Sequence, residues 1–373
     1  MRIRSILFHD FRSFRGKRVI SFVDPITDLV RPVNVLAGSN GSGKTTLLDA
    51  IEALLAFILE PDIPSPLIDE ALDASLICME LELAPEEILN GAGQPPRLID
   101  DRTARTLHIA VGKRTLAPPS PDREWPNLYC RFVQRGVQGK PYERRSPLAE
   151  RLRKAVSSMQ QGKVDLHGGL IYFPHVRTFD FARGGPITPV REPSQWRYRF
   201  TESDRWEGSL EELWVWQNYL DLEQGTADHA NLKPFVNSVE SVFGKNRKVA
   251  IKEGRVLVPT SWHDEAGNTG WVRIEQLPSG EAQTLVLFGE LTRRRRPGAI
   301  IGIDEVENSL HPTLQRLVMW NLQRMASEWD AQVIVSTHSL EVINFVRGGA
   351  FINLDFPEDR FNLPLNGSGE AAS

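Results

Sequence analysis

The run GSNGSGKT, Gly38 to Thr45, constrains this chain more than any other feature. It fits the pattern G-x-x-x-x-G-K-[S/T] at every fixed position. It also sits between VNVLA, which reads as a buried strand, and TTLLDAIEALLAFIL, whose apolar residues recur on a helical period. Gly38, Gly41 and Gly43 let the backbone turn tightly enough for successive N–H groups to point at one anion, and the helix N-terminus adds its dipole. Lys44 would bridge a β- and a γ-phosphate. Thr45, its hydroxyl just inside the helix, would be a Mg²⁺ ligand. The alternative is a chance Gly-rich turn, against which strand, loop and helix in register count heavily.

Two further segments supply chemistry of the right kind. The apolar run AIIGI ends in Asp304 and Glu305, placing two acids at the carboxyl end of a buried strand, where open α/β sheets hold their ligands. Asp304 would hold Mg²⁺ through water, and Glu305 is the candidate general base for an attacking water. The apolar run QVIVS ends in Thr337, His338 and Ser339, so an imidazole at the next strand end would reach a γ-phosphate. The segment LPSGEAQTL, residues 277–285, puts Ser279 and Gly280 at the start of a helix with Glu281 in its first turn. That is an anion-binding helix end, or a plain N-cap.

Composition sets the limits. With 41% hydrophobic and 25% charged residues over 373 positions, the chain can bury a large core without disulfides. A net charge of −4 gives no global pull toward nucleic acid, so DNA binding would need a local basic patch. Cys78 and Cys130 lie in apolar strand-like runs with no metal-site spacing, and read as buried thiols of a reducing cytoplasm. There is no long apolar run, no signal-peptide pattern and no sustained heptad, and the expected location is cytoplasmic, with no membrane partner.

The patterning predicts an α/β fold: a mostly parallel sheet flanked by helices, with an antiparallel β subdomain and an inserted helical lobe. Residues 1–140 read as an N-terminal lobe carrying the phosphate loop, and 141–248 as a mainly helical insertion interrupted by the strand-like LIYFP. Residues 249–360 read as a C-terminal lobe in which VAIKEGRVLVP, AIIGIDE, QVIVSTH and AFINL are strands alternating with helices, and 361–373 as a flexible tail.

The order GSNGSGKT, LPSGEAQ, IIGIDE, STHS resembles the P-loop, signature, Walker B and switch-histidine series of ABC ATPases. The opening IRSILFHDFRSF, the segment IDEVENSLHP and the wide gap between Lys44 and Ser279 resemble RecF-like, SMC-like and OLD-type ATPases more than transporter subunits, without coiled-coil arms or a nuclease domain. The resemblance implies a P-loop NTPase of ABC type that binds ATP and Mg²⁺, with Gly38, Asn40, Gly41, Ser42, Gly43, Lys44, Thr45, Thr46 and Arg12 near the nucleotide. It implies Lys44, Glu305 and His338 in catalysis, and Thr45 and Asp304 on the metal. It also implies a homodimer in which Ser279, Gly280 and Glu281 of one subunit contact the γ-phosphate held by the other, with His311 in the loop crossing the interface. The family's glutamine loop has no evident counterpart: LIYFPHVR, residues 170–177, stands where it would begin but contains no glutamine.

Outside these motifs, Trp196, Trp206, Trp214, Trp216, Tyr198, Phe200 and Tyr219 mix with Arg191, Arg197, Arg199 and Arg205. They suit either the core and rim of the helical lobe or a base-stacking surface. Arg293 to Arg296 read as a solvated helix end, or as phosphate contacts. The function expected is an ATP-driven switch acting on a separate effector or nuclease protein in DNA maintenance or phage defence. A RecF-like DNA-binding ATPase is the second expectation, and a transporter subunit the third.

Overall fold

In the computed structural model the run IIGI forms a strand, Ile300–Ile303, buried on both faces. Ile300 packs into a core on one side of its sheet, and Ile301 and Ile303 into a core on the other. Val333, Ile334 and Val335 divide between the same two cores. A strand apolar throughout, with no polar alternation, suits a parallel sheet covered on both faces.

The structure describes residues 1–63, 65–84, 102–133, 141–163, 165, 167–176, 189, 195–200, 209–225, 230–243, 249–263, 269–346 and 350–355. In chain order its strands are β1 (Arg2–Phe11), β2 (Phe14–Ser21), β3 (Val33–Ala37), β4 (Leu76–Glu82), β5 (Thr106–Lys113), β6 (Leu128–Val133), β7 (Tyr142–Arg144) and β8 (Leu170–Phe173). There follow β9 (Arg197–Arg199), β10 (Ala250–Lys252), β11 (Arg255–His263), β12 (Thr269–Arg273), β13 (Ile300–Ile303), β14 (Gln332–Thr337) and β15 (Phe351–Asn353). The central sheet runs β15-β3-β14-β13-β8-β9 and is parallel throughout. A second sheet, β2-β1-β4-β5-β6-β7, is antiparallel apart from the β5–β6 pair.

The helix Lys44–Leu59 lies between these two sheets. Its Leu47, Leu48, Ile51, Leu54 and Leu55 share one core with Phe8, Phe11 and Phe14 of the β1–β2 hairpin, in which Phe8 and Phe14 stack at 4.2 Å. The other face of the central sheet is covered by the helices Ser279–Arg293 and Pro312–Glu328, through Leu287, Phe288, Leu291, Val318, Met319 and Leu322.

Two local expectations, for VAIKEGRVLVP and for the arginine run, are corrected. VAIKEGRVLVP does not join the parallel sheet. Glu253 and Gly254 both take positive φ, 54° and 69°, which folds the run into the β10–β11 hairpin of a separate three-stranded antiparallel sheet. That sheet packs on the helix Leu210–Gln224, with Leu213, Trp214, Val256 and Val258 in one cluster.

The aromatic and arginine window is mostly interior. Trp196, Tyr198, Phe200 and Trp214 are buried, and β9 belongs to the central sheet. Arg199 on β9 pairs with Asp49 at 3.1 Å, and Arg197 pairs with Glu52, so both arginines tie the sheet to acids of the Lys44–Leu59 helix. Trp216 and Tyr219 stack on each other near the surface, while Arg191, Arg205 and Trp206 lie outside the described residues.

The run Arg293–Arg296 is only in part a solvated helix end, since Arg295 is exposed but the first two arginines are not. Arg293 and Arg294 are buried against the fully buried Glu290, Arg294 lies over the rings of Tyr198 and Phe200, and Arg295 lies over Trp329. Arginine tolerates such positions because its planar cation stacks on aromatic faces while pairing at its edge.

Candidate nucleotide site

Parallel register delivers the site. Ala37 of β3 lies opposite Thr337 of β14 and Asn353 of β15, while Ile303 of β13 lies opposite Val335 of β14 and Phe173 of β8. The residues just past these strand ends therefore leave one edge together: the loop 38–43, His175, the pair Asp304 and Glu305, His338, and Asp355. The carboxyl edge of an open parallel sheet is where such folds bind ligands.

In the loop 38–43, Gly38, Gly41 and Gly43 all have positive φ, at 156°, 81° and 105°. A Cβ on Gly43 would come within 2.5 Å of the Phe14 ring and 2.8 Å of the Ser13 hydroxyl; one on Gly38 would lie 2.5 Å from Ser42 Oγ. Substitution is therefore closed off by space as well as by φ. The Lys44 ammonium donates to the carbonyls of Gly38 and Ser39 at 2.8 and 3.0 Å, curling over the cradle. Burial pushes its pKa down, against the opposing pull of Asp355, Asp304, Glu305 and Glu307. Asn40 and Gly41 are exposed at the loop's crest, Thr46 is half-buried, and Ser42 Oγ is buried with no hydrogen bond among the described residues.

Thr45 Oγ1 donates to Asp304 Oδ2 at 2.7 Å, and the Ser336 hydroxyl donates to Asp304 Oδ1. Asp304 is fully buried. The same Ser336 oxygen accepts the Glu305 N–H at 2.8 Å, so one hydroxyl on β14 fixes both acids. Glu305 has φ of 48°, a strained value for a residue with a side chain, and such strain collects at working sites. The His338 N–H donates to Glu307, and the Ser339 hydroxyl donates to Gln315, which carries the switch segment on the loop following Glu305 and on the helix after it.

The helix Ser279–Arg293 starts at Ser279 itself, with Pro278 as its N-cap and no side-chain cap, so the serine is free of the capping role that its sequence offered. Ser279 is exposed. Gly280 is pressed against the next loop, where a Cβ would meet the Ser309 carbonyl at 2.4 Å. His311 caps the following helix, accepting from Thr313 N–H, and is exposed beside Ser309. Arg12, in the β1–β2 turn with φ of 49°, follows the hairpin to the loop that Ser13 and Phe14 touch, and its guanidinium pairs with Glu70 at 2.9 Å.

This donor set fits a nucleotide with a hard cation. The cradle has no room for a side chain at Gly38 or Gly43, Lys44 brings a desolvated cation, and Thr45 and Asp304 offer adjacent oxygens of the kind Mg²⁺ takes, which would leave the rest of its shell to phosphate and water. The acid Glu305 beside them can orient water.

Two residues at this edge were not singled out in the sequence. Asp355 accepts from Ser39 N–H at 2.8 Å and from the Ser39 hydroxyl at 2.6 Å; those bonds, with Lys44 and His338 nearby, hold its carboxyl below the usual range. His175 brings Nδ1 to 3.6 Å from Asp304 Oδ2. The pairing of β8 with β13 is the signal that could have found it, and that pairing is not written in either strand alone.

A family model described as an AAA domain, putative AbiEii toxin, type IV TA system, matches residues 181–344, and a second, described as an AAA domain, matches residues 5–65. No curated protein sequence matches the chain. Among solved structures, an SMC head bound to the C-winged helix domain of ScpA is 12% identical with a TM-score of 0.49, covering 95% of this chain and 94% of that one. The SMC head domain from Thermotoga maritima is 15% identical with a TM-score of 0.45, over 95% and 94%. An Smc head domain with an extended coiled coil, bound to the C-terminal domain of ScpA from Pyrococcus furiosus, is 13% identical at 0.46, over 94% and 92%. The shorter family match contains the phosphate loop and the longer one contains Ser279 together with Asp304, Glu305 and His338, of which the last three share one sheet edge with that loop. Between them the two matches take in the phosphate loop, the acidic pair and the histidine after β14, and in these stretches the chain is similar to AAA-type P-loop ATPases.

Proposed function

We propose that this ATPase is a nucleotide-driven dimerising switch. ATP and Mg²⁺ bind at the loop 38–46, and the helix end at Ser279–Glu281 of a second copy closes over the γ-phosphate. Glu305 activates water for hydrolysis, with Lys44 and His338 stabilising the charge that develops, and hydrolysis reopens the pair. Thr45 and Asp304 hold the metal, and Arg12 turns from Glu70 toward the nucleotide.

The observation that carries this reading is the contrast between two ends. Lys44, Thr45, Asp304 and Glu305 are gathered at one edge, whereas the helix end at Ser279 is exposed and has no side-chain cap. An exposed helix N-terminus offers backbone N–H groups to an anion. The effector is a separate protein, and the setting is DNA maintenance or defence; the family match described as a putative toxin of a type IV TA system supports the latter.

The test is ATP-dependent oligomerisation of Glu305→Gln, followed by light scattering, with and without Ser279→Arg. A dimer with ATP that Ser279→Arg abolishes supports the switch. A protein that binds ATP and stays monomeric sinks it.

A further inference from the structure

β8 and β13 are parallel neighbours with Phe173 opposite Ile303, and Asp304 N–H donates to the Phe173 carbonyl at 2.8 Å. The chain therefore leaves both strands side by side, and within two residues of β8 it presents His175. Its Nδ1 lies 3.6 Å from Asp304 Oδ2, the oxygen that also accepts from Thr45 at 2.7 Å. Its backbone carbonyl accepts from Asn308 Nδ2 at 3.4 Å, and Asn308 N–H in turn donates to the Glu305 carbonyl at 3.0 Å. The loop carrying the candidate base thus clamps the backbone of His175, while its half-exposed side chain opens into the site.

A hydroxyl, a carboxylate and an imidazole converge here. The hydroxyl oxygen and the imidazole nitrogen lie 2.7 and 3.6 Å from the same carboxylate oxygen, near enough for one small cation to be shared among them. Among the described residues no group of three or more His, Cys, Asp or Glu forms a metal cage. A cation here would take one ligand of each kind and complete its shell with phosphate and water.

The geometry points to His175 as a metal-coordinating residue of the nucleotide site, giving the nucleotide-bound cation a nitrogen ligand. The inference rests on the proposed nucleotide site and specifies its metal chemistry. An imidazole raises affinity for Co²⁺ or Ni²⁺ relative to Mg²⁺, which prefers oxygen. It also couples β8, and through β9 the Arg197 and Arg199 contacts to the Lys44–Leu59 helix, to the presence of the cation.

The experiment uses the full chain carrying Glu305→Gln, with ATP and Mn²⁺, after ATP binding has been measured in the same preparation by equilibrium dialysis. Pulsed electron paramagnetic resonance should show a nitrogen coupled to Mn²⁺. In protein grown on ¹⁵N-histidine that signal should change isotope, which separates it from the adenine nitrogens. It should vanish in His175→Gln and persist in His338→Gln. The preference for Co²⁺ over Mg²⁺ in supporting ATP binding should fall about tenfold in His175→Gln, the lower end of the range seen even for outer partners of metal ligands. No histidine coupling in protein that binds ATP and Mn²⁺, or a coupling that survives His175→Gln, overturns the assignment alone. Absence of ATP binding overturns the nucleotide site and this assignment together. The labelled-histidine spectrum needs no variant at position 175, so the test holds even if His175→Gln folds poorly.

Discussion

Thr45 Oγ1 lies 2.7 Å from Asp304 Oδ2 although 259 positions separate them in the chain. The contact joins the first turn of one helix to the end of a strand two places away in the sheet, and it puts a hydroxyl and a buried carboxylate where a single cation can take both. A carboxylate buried at the sheet edge needs a donor or a cation, and Asp304 is arranged for either.

Metal dependence follows. Hydrolysis should cease in EDTA, and Thr45→Ala should lower kcat by about 100-fold, as loss of a single preorganised electrostatic contact commonly does. Steady-state phosphate release across a Mg²⁺ titration is the check. A Thr45→Ala protein with unchanged kcat at saturating Mg²⁺ would remove the hydroxyl from the metal site.

Glu305→Gln keeps the shape of the side chain but removes the carboxylate proposed as base. Hydrolysis should fall by about 10²–10⁴-fold with ATP affinity within a few-fold of the parent. Single-turnover kinetics with parallel binding measurements separate the two. A loss of affinity matching the loss of rate would show that Glu305 serves binding instead.

Ser336 donates to Asp304 and accepts from Glu305 N–H, and it is fully buried. Ser336→Ala would take one hydrogen bond from a buried carboxylate and one from the Glu305 N–H, and should destabilise the fold by about 1–3 kcal/mol as well as slow hydrolysis. Urea unfolding gives the first quantity, and an unchanged midpoint would count against the bridging role.

Glu290 is fully buried between Arg293 and Arg294. Removing its charge by Glu290→Gln leaves two buried guanidinium groups without that carboxylate, and should cost about 3–5 kcal/mol, the scale for breaking a buried ionic cluster from one side. Pairing it with Arg294→Met should recover part of the loss, because an apolar group then replaces a buried cation. Denaturant melts of both variants decide the matter.

Both cysteines are buried and unbridged. Burial pushes the Cys130 thiol up to about 11 and raises that of Cys78 further. A raised thiol pKa means less thiolate at any working pH, so at pH 8 neither should react with iodoacetamide until the chain unfolds, and both should then label. Mass spectrometry of native and denatured samples measures this directly, and labelling of the native protein would contradict the burial.

Local sequence carried much of the site. The glycines and Lys44 of the phosphate loop, the acids after AIIGI and the histidine after QVIVS were legible because each sits at a switch between an apolar strand and a polar loop, a pattern that spans only a few residues. AIIGI and QVIVS gave the parallel sheet away for the same reason: both of their faces are apolar. The hairpin at Glu253–Gly254 was misassigned because the period of a short strand does not tell which sheet it joins. The arginine run at 293–296 was misassigned because charge in a sequence implies solvent unless a buried partner such as Glu290 is already known.

The sequence by itself determined the chemical inventory of the candidate site: a glycine-rich loop before a helix, a lysine, two acids, a histidine and a serine-glycine helix start. Tertiary structure alone decided what meets what. The register of β8 against β13 sets His175 beside Asp304, the register of β3 against β14 and β15 sets Ser336 and Asp355 beside the loop's neighbours, and β9 turns Arg197 and Arg199 inward onto acids of the Lys44–Leu59 helix. Those outcomes depend on strand order, which is fixed by how whole faces of helices and sheets bury one another and leaves no mark within a window of ten residues.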